Sequence, residues 1–183
     1  MISRRGIIAT ITLVVFIIGC PYVFAGTNDL ELPVPDLNER CKIINCAYDP
    51  YVLNVATDYT PTTSDGVTIW SWSNNSTQWW ENEYAGINSH GGDCYRVVLS
   101  DDNLDHLGLN YNQSTTKCTI YPYASNDPYD YKIQWHTGAY GYIISLCERG
   151  RFLGACDSYL GSQCYWYYGA VYASDNWSIY ELS

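Results

Sequence analysis

Apolar and polar residues after position 40 follow one another in short alternating runs separated by turn residues. The stretch 65–80 is typical: the turn signal Asp65-Gly66 precedes an alternating strand, then a polar loop, then Gln78-Trp-Trp. No long stretch after residue 25 has helical periodicity, and Gly, Asn, Ser and Asp recur at short intervals. The pattern predicts an all-β domain built from many short strands.

The predicted strands fall into three similar units of four. Each second strand carries a leucine landmark and each third strand an aromatic one, at similar intervals along the chain: Leu53, Leu107 and Leu153, and Trp70, Tyr121 and Trp166. The predicted strands are 42–45, 51–55, 67–72 and 78–80; then 95–99, 106–110, 118–123 and 131–135; then 141–146, 151–155, 163–168 and 176–180. We expect a closed barrel with three-fold pseudo-symmetry, because closure removes exposed sheet edges. The repeats are expected at about 41–80, 81–135 and 136–183.

The first 40 residues are expected to lie outside this barrel. Residues 1–25 resemble a secretory signal peptide, with Arg4 and Arg5 before an apolar core and a small-residue cleavage site ending at Ala25. An alternative is a lipid anchor on Cys20, since Ile-Ile-Gly-Cys resembles a lipobox, although Pro21 directly after it disfavours this reading. Residues 26–40 contain two prolines and four acids and are predicted to form an extended acidic arm. We therefore expect a secreted protein, with lipid anchoring as the alternative.

Composition narrows the choice of partners. The chain carries a net charge of −10, which disfavours nucleic acid as a partner. Its 19 Tyr and seven Trp against three Phe suggest that amphipathic rings fill much of the core. The three histidines are far apart in the sequence and no Cys-x-x-Cys occurs, so neither a metal nor a cofactor is predicted.

Seven cysteines remain after the leader, and in an oxidising compartment most should form disulfides. Because seven is odd, one thiol should be free or bonded to another chain. Cys156 and Cys164, on either side of a short hairpin, are the best single candidate pair. The candidates are Cys41, Cys46, Cys94, Cys118, Cys147, Cys156 and Cys164.

The first unit, ending in Gln78-Trp79-Trp80, resembles one repeat of the ricin-type (R-type) β-trefoil lectins, whose repeats end in Q-x-W. The second unit has Tyr131-Lys-Ile133 at this place, and the third has Asp175-Asn-Trp177. The resemblance extends over residues 41–183. It implies an all-β fold of the β-trefoil type, with three pseudo-symmetric repeats of four strands. It also implies that Trp80 fills the core and that Gln78 braces a loop.

A sugar site in this family combines an aromatic platform with a hydrogen-bonding fork for adjacent hydroxyls. By the resemblance, the fork positions hold Asn54, Gly108 and Gly154; the glutamine positions Thr68, Thr119 and Cys164; the asparagine positions Thr77, Asp130 and Ser174; and the platforms Trp70, Tyr121 and Trp166. Only the aromatic position keeps the family's residue type in every repeat; the first repeat comes closest to the whole pattern, with a neutral amide in place of the acid, whereas the second and third lack the fork and are expected to be silent. The predicted carbohydrate-binding residues are Asn54, Asp58, Thr68, Trp70, Thr77 and Gln78, with Tyr121 and Trp166 as weaker candidates.

The resemblance implies a non-enzymatic lectin that recognises glycans on cell surfaces or secreted glycoproteins. No nucleophile, phosphate-loop or metalloprotease motif appears in the sequence. The alternative is a trefoil whose sugar sites have degenerated and which serves as the cell-binding or delivery subunit of a multi-component toxin. In that reading the chain is similar to the binding subunits of cytolethal distending toxins, which are also exported trefoils with an N-terminal arm.

Overall fold

A computed structural model describes residues 39–57, 60–100, 107–123 and 132–182. These residues form twelve antiparallel strands and two short 3-10 turns, Ser76–Gln78 and Ala173–Asp175. The strands are β1 (Cys41–Asn45), β2 (Tyr51–Val55), β3 (Val67–Ser71), β4 (Trp80–Ile87), β5 (Asp93–Leu99), β6 (Leu107–Tyr111), β7 (Cys118–Pro122), β8 (Ile133–Thr137), β9 (Tyr142–Leu146), β10 (Arg151–Ala155), β11 (Cys164–Tyr168) and β12 (Asn176–Glu181). The predicted all-β class is confirmed. The leader, nearly all of the arm, Asp58 and Asp130 lie outside the described residues.

Six of the strands close into a ring. Strand β1 pairs with β12 and β4, β5 pairs with β4 and β8, and β9 pairs with β8 and β12. The other six strands form the hairpins β2–β3, β6–β7 and β10–β11, one in each repeat. This closed ring with three hairpins is the β-trefoil that the repeats predict.

No helix within the described ranges is long and apolar enough to span a membrane.

Large aromatic and aliphatic side chains fill the centre. Trp80 and Trp177 are fully buried, and their indole nitrogens donate to the Leu53 and Leu153 carbonyls, each at 3.0 Å. Trp80 pairs with β1 and Trp177 pairs with β9, and in the second repeat Ile133 pairs with β5 in the same way. An aliphatic side chain therefore stands in the second repeat where the Q-x-W tryptophan would be. Trp80 is therefore a core residue, as the resemblance implies.

The three hairpins are joined to one another in a pseudo-symmetric way. The backbone N–H of Gly161 donates to Ile69 (2.9 Å), that of Ser64 donates to Ile120 (2.8 Å), and that of Trp166 donates to Thr116 (2.9 Å). Each hairpin turn thus docks on the third strand of the next hairpin. Together the hairpins form a cap, and the side chains on its outer face come from all three repeats.

Cysteine pairing differs from the expectation. One disulfide, Cys94–Cys147, joins the start of β5 to the turn after β9, and the other five cysteines among the described residues are unbonded. The proposed Cys156–Cys164 pair is wrong. Cys164 lies opposite Ala155, so Cys156 comes one residue later and projects to the other face, since strand side chains alternate.

Burial raises the pKa of the Cys41 thiol to about 12 and also raises the pKa of Cys118 and Cys164, which keeps all three protonated.

Candidate functional site

The hairpin β2–β3 brings the predicted first-repeat residues together. Trp70 lies opposite Val52 and leaves 43% of its surface exposed, whereas Asn54 lies opposite Thr68 and is only 8% exposed. The Asn54 amide donates to the Val55 carbonyl (2.9 Å) and to Thr68 Oγ1 (3.4 Å). Thr77 Oγ1 in turn donates to Asn54 Oδ1 at 2.9 Å. The amide is thus held rigidly in a nearly buried polar network, and Trp70 provides the exposed ring.

Gln78 lies beneath this surface and does not form part of it. It is fully buried; its amide donates to the Ser71 carbonyl (2.8 Å), and its Oε1 accepts from the Ser73 backbone N–H (2.7 Å) and hydroxyl (3.1 Å). The glutamine therefore braces the loop that follows β3, as the resemblance implies. The prediction that Gln78 binds carbohydrate is therefore wrong, because a side chain with no exposed surface cannot contact a sugar directly.

The second repeat has a fork residue that the sequence alignment missed. Strand pairing places Asn110 opposite Thr119, and Asn110 Nδ2 donates to Thr119 Oγ1 at 3.0 Å, just as Asn54 faces Thr68. The prediction that Gly108 occupies the fork position, leaving this repeat without a fork, is wrong, since Gly108 lies opposite Tyr121, where the first hairpin has Val52. The signal was present in the sequence: Leu109-Asn110 repeats the Leu-Asn pair at 53–54.

Tyr121 occupies the same place as Trp70 and is 39% exposed. The second hairpin therefore presents the same combination as the first: an exposed ring on the third strand, and an amide with its threonine partner two residues along the hairpin. Both hairpins have a neutral fork, which makes weaker hydrogen bonds than a carboxylate.

The third repeat departs further. Trp166 lies opposite Leu153, is 1% exposed and donates from its indole nitrogen to the Asn110 carbonyl at 3.1 Å. It occupies the core position of Ile69 and Ile120, so its prediction as a weaker platform is wrong. Tyr167, opposite Phe152, holds the platform place instead. Tyr165, not Cys164, lies opposite Gly154 at the place of Thr68.

Gly154 at the third fork position has its own structural cause. A Cβ on this residue would collide with the carboxylate of Asp175 and come within 3.1 Å of the Tyr167 ring. Asp175 stands two residues before Trp177, where the first repeat has Gln78, and its Oδ2 accepts from the Tyr172 backbone N–H at 2.7 Å. The carboxylate thus fills the space of a fork side chain but is 1% exposed. The third hairpin presents no accessible fork of the kind found in the other two.

Trp79, the middle residue of the Q-x-W motif, is not an open platform. The Arg40 guanidinium carbon lies 4.2 Å from the centre of the Trp79 ring, and its Nε donates to Ser100 Oγ at 3.2 Å. Ser100 in turn donates to Glu81. Arg40, Trp79 and Glu81 border a groove of about 430 Å³, together with Asn74 and Leu182. Because a guanidinium covers the ring and a carboxylate is already bonded, Trp70 remains the better candidate for stacking on a ligand.

Comparison with known proteins supports the fold. No protein-family model and no curated protein matches the sequence. The structure is similar to ThreeFoil, a designed three-fold symmetric protein (TM-score 0.62, 17% identity, covering 78% of this chain and 99% of that one). It is also similar to the C-terminal half of an earthworm R-type lectin in complex with GalNAc (TM-score 0.58, 13% identity, covering 79% and 99%).

A third similar structure is a mosquitocidal holotoxin, with TM-score 0.67 and 14% identity. The match covers 82% of this chain and only 18% of the toxin, so this chain is similar to a small part of a much longer protein. At these identities the matches show the β-trefoil fold, which the R-type resemblance implied.

Proposed function

We propose that this protein is a non-enzymatic, carbohydrate-binding trefoil that recognises glycans through its first and second hairpins. The observation that carries the proposal is the exposed Trp70 ring beside the rigid network of Asn54, Thr68 and Thr77. The ring can cover the apolar C–H face of a pyranose. The similar earthworm lectin, whose structure contains GalNAc, supports the assignment.

The two hairpins are expected to differ in strength. The larger Trp70 ring covers more sugar surface than Tyr121, and burial of apolar area is the main favourable contribution. Asn110 is more accessible than Asn54, so the second hairpin offers better access to its amide. We propose that the first hairpin supplies most of the affinity, that the second is a weaker site, and that the third is silent.

The test is a glycan array probed with the purified protein and with Trp70→Ala. Burial of a large apolar side chain contributes about 1.5–3 kcal/mol. Loss of the Trp70 ring should therefore weaken binding tenfold or more, because about 1.4 kcal/mol of binding free energy corresponds to a factor of ten. Tyr84→Ala is the matched control, since Tyr84 is an exposed ring on β4, outside the hairpin cap. Binding that Trp70→Ala leaves unchanged, or no binding to any glycan, would refute the proposal.

We propose a toxin delivery subunit as the alternative function. The match to a single module of the mosquitocidal holotoxin favours it, because a trefoil there is part of a larger toxin. In this case the protein should co-purify with a second, toxic subunit when expressed in its own host, and deletion of residues 26–40 should abolish the association. A protein that purifies alone and binds glycans would exclude the alternative.

We also propose that the chain is exported by residues 1–25 and thereby meets extracellular glycans. Intact mass of the protein from its host tests this: a mature chain beginning at Gly26 supports secretion. A chain beginning at a lipid-modified Cys20 would support anchoring, and an uncleaved Met1 would contradict both.

A further inference from the structure

We infer that the binding surface at Trp70 extends across a repeat boundary onto Tyr159, and that its ligand is a glycan chain of at least two sugar units. The inference rests on the proposed function and defines its ligand class. It assigns to the turn of the third hairpin, residues 157–162, the role of a second aromatic platform.

The turn is fixed directly against the Trp70 strand. The backbone N–H of Gly161 donates to the Ile69 carbonyl (2.9 Å), and the N–H of Ile69 donates to the Ser162 carbonyl (3.0 Å). Two hydrogen bonds to the residue before Trp70 hold the turn in a defined register. The turn is itself closed by Ser162 N–H donating to the Tyr159 carbonyl at 3.1 Å.

Gly161 allows the turn to touch the platform ring. Its φ of +83° is a conformation that favours glycine, and a Cβ here would lie 3.0 Å from Cζ3 of Trp70. The edge of the indole therefore rests against the glycine backbone. The turn of the third hairpin thus contacts one edge of the Trp70 ring, and the proposed ligand surface continues from the ring onto this turn.

Next to this contact the turn carries two exposed apolar residues, Tyr159 at 61% and Leu160 at 43%. Two residues span at most about 7 Å, so the Tyr159 backbone lies within a short distance of the Trp70 edge. A tyrosine offers both a face for stacking and a hydroxyl for hydrogen bonding. The Asp157 carboxylate begins the same turn, is exposed, and accepts from the Ser158 backbone N–H at 2.8 Å. Rings and acceptors therefore follow one another, which suits successive sugar units.

The other two hairpins provide an internal comparison. The turn that docks beside Tyr121 contains Pro61-Thr-Thr-Ser64, and the one that docks beside β11 contains Asn112-Gln-Ser-Thr-Thr116. Neither of these described segments contains an aromatic residue; Tyr59, which belongs to the turn of the first hairpin, lies outside the described residues. Among the described residues, an exposed ring on a docked turn stands next to an exposed ring on a third strand only at the first hairpin, which is the surface that the proposed function ranks first.

The experiment compares two ligands on four proteins. Calorimetric titration uses the strongest-binding disaccharide from the array and its own terminal monosaccharide, with wild type, Tyr159→Ala, Trp70→Ala and the control Tyr84→Ala. Tyr159→Ala should weaken disaccharide binding at least fivefold and leave monosaccharide binding unchanged. Trp70→Ala should weaken both, and Tyr84→Ala neither.

The outcomes separate this inference from the proposed function. Equal disaccharide affinity for wild type and Tyr159→Ala, with loss in Trp70→Ala, overturns the inference and leaves the lectin function standing. Equal weakening of both ligands by Tyr159→Ala also overturns it, because Tyr159 would then belong to the first sugar subsite. No disaccharide binding to wild type, or binding unaffected by Trp70→Ala, overturns the function itself. Unfolding temperatures of the four proteins verify that the variants are folded.

Discussion

At the scale of single residues, the carboxyl group of Asp175 is the side chain whose burial has the clearest energetic consequence. It lies under the third hairpin at 1% exposure, between Gly154 and the turn that precedes β12. Burial raises its pKa from 3.8 to about 6, and the hydrogen bonds from Tyr172 and Ser174 only partly oppose this shift. The native state therefore binds this proton more tightly than the unfolded chain does.

The protein is therefore expected to lose stability as Asp175 ionises. Stability contributed by the protonated Asp175 is complete below about pH 4 and is lost as the pH rises to about 6. The loss is at most about 3 kcal/mol, because one pKa unit corresponds to about 1.4 kcal/mol. Asp175→Asn keeps the shape and does not titrate. We expect the difference in unfolding free energy between this variant and wild type, from urea titrations at pH 4 to 7, to shift in favour of the variant as the pH rises. A constant difference would contradict a raised pKa.

At the scale of the elements, eleven of the twelve strands largely overlap the predicted segments, whereas β4 begins at Trp80, where the predicted segment 78–80 ends, and extends to Ile87. Three site assignments, all in the second and third hairpins, are displaced. Leu107 and Leu109 are both buried, because residues two apart share one face of a strand. Alternation alone could not decide which of them corresponds to Leu53. In β11 the last four residues are all aromatic, so no alternation showed that Trp166 faces inward and Tyr167 does not.

What the sequence left undetermined was therefore the register of each hairpin relative to the others. That register is set by contacts between repeats, such as the hydrogen bond from Trp166 to Thr116, which join residues far apart in the chain. In the first hairpin the Leu53-Asn54 pair and the Q-x-W motif fix the register locally, and the structure pairs Asn54 with Thr68 in that register.

The third hairpin supports a prediction about steric fit. Gly154→Ala should destabilise the protein by about 1–3 kcal/mol, because its Cβ collides with the Asp175 carboxylate. Gly108→Ala is the matched control: it is also a glycine on the second strand of a hairpin, and its Cβ would meet nothing closer than 3.4 Å. Urea unfolding of both variants measures the difference. In the Asp175→Ser background, Gly154→Ala should reduce the free energy of unfolding by less than it does in wild type. Strictly additive effects of the two substitutions would contradict a direct clash.

At the scale of the whole molecule, one side chain connects all three hairpins. The Gln163 amide nitrogen lies 2.7 Å from the Val67 carbonyl oxygen, 2.8 Å from that of Cys118 and 2.9 Å from that of Cys164. These carbonyls begin the third strands of the three repeats. A single amide group thus lies within hydrogen-bond distance of all three hairpins, in addition to the backbone contacts between them, and Gly66 leaves room for it, since a Cβ there would lie 2.7 Å from Gln163 Oε1.

This arrangement predicts a difference between two substitutions of similar size. Gln163→Met removes the donor and should cost about 1–3 kcal/mol, the usual penalty for under-satisfied buried carbonyls. Gln163→Glu should cost more at pH 7, because an ionised carboxylate would face carbonyl oxygens, and the excess should vanish near pH 4, where the acid is protonated and can donate. Urea unfolding at both pH values measures this. Equal stability of the two variants at pH 7 would contradict the unfavourable carboxylate. Gln163→Met as stable as wild type would show that the amide does not hold the hairpins together, and the cap carrying Trp70 and Tyr159 would then depend on backbone pairing alone.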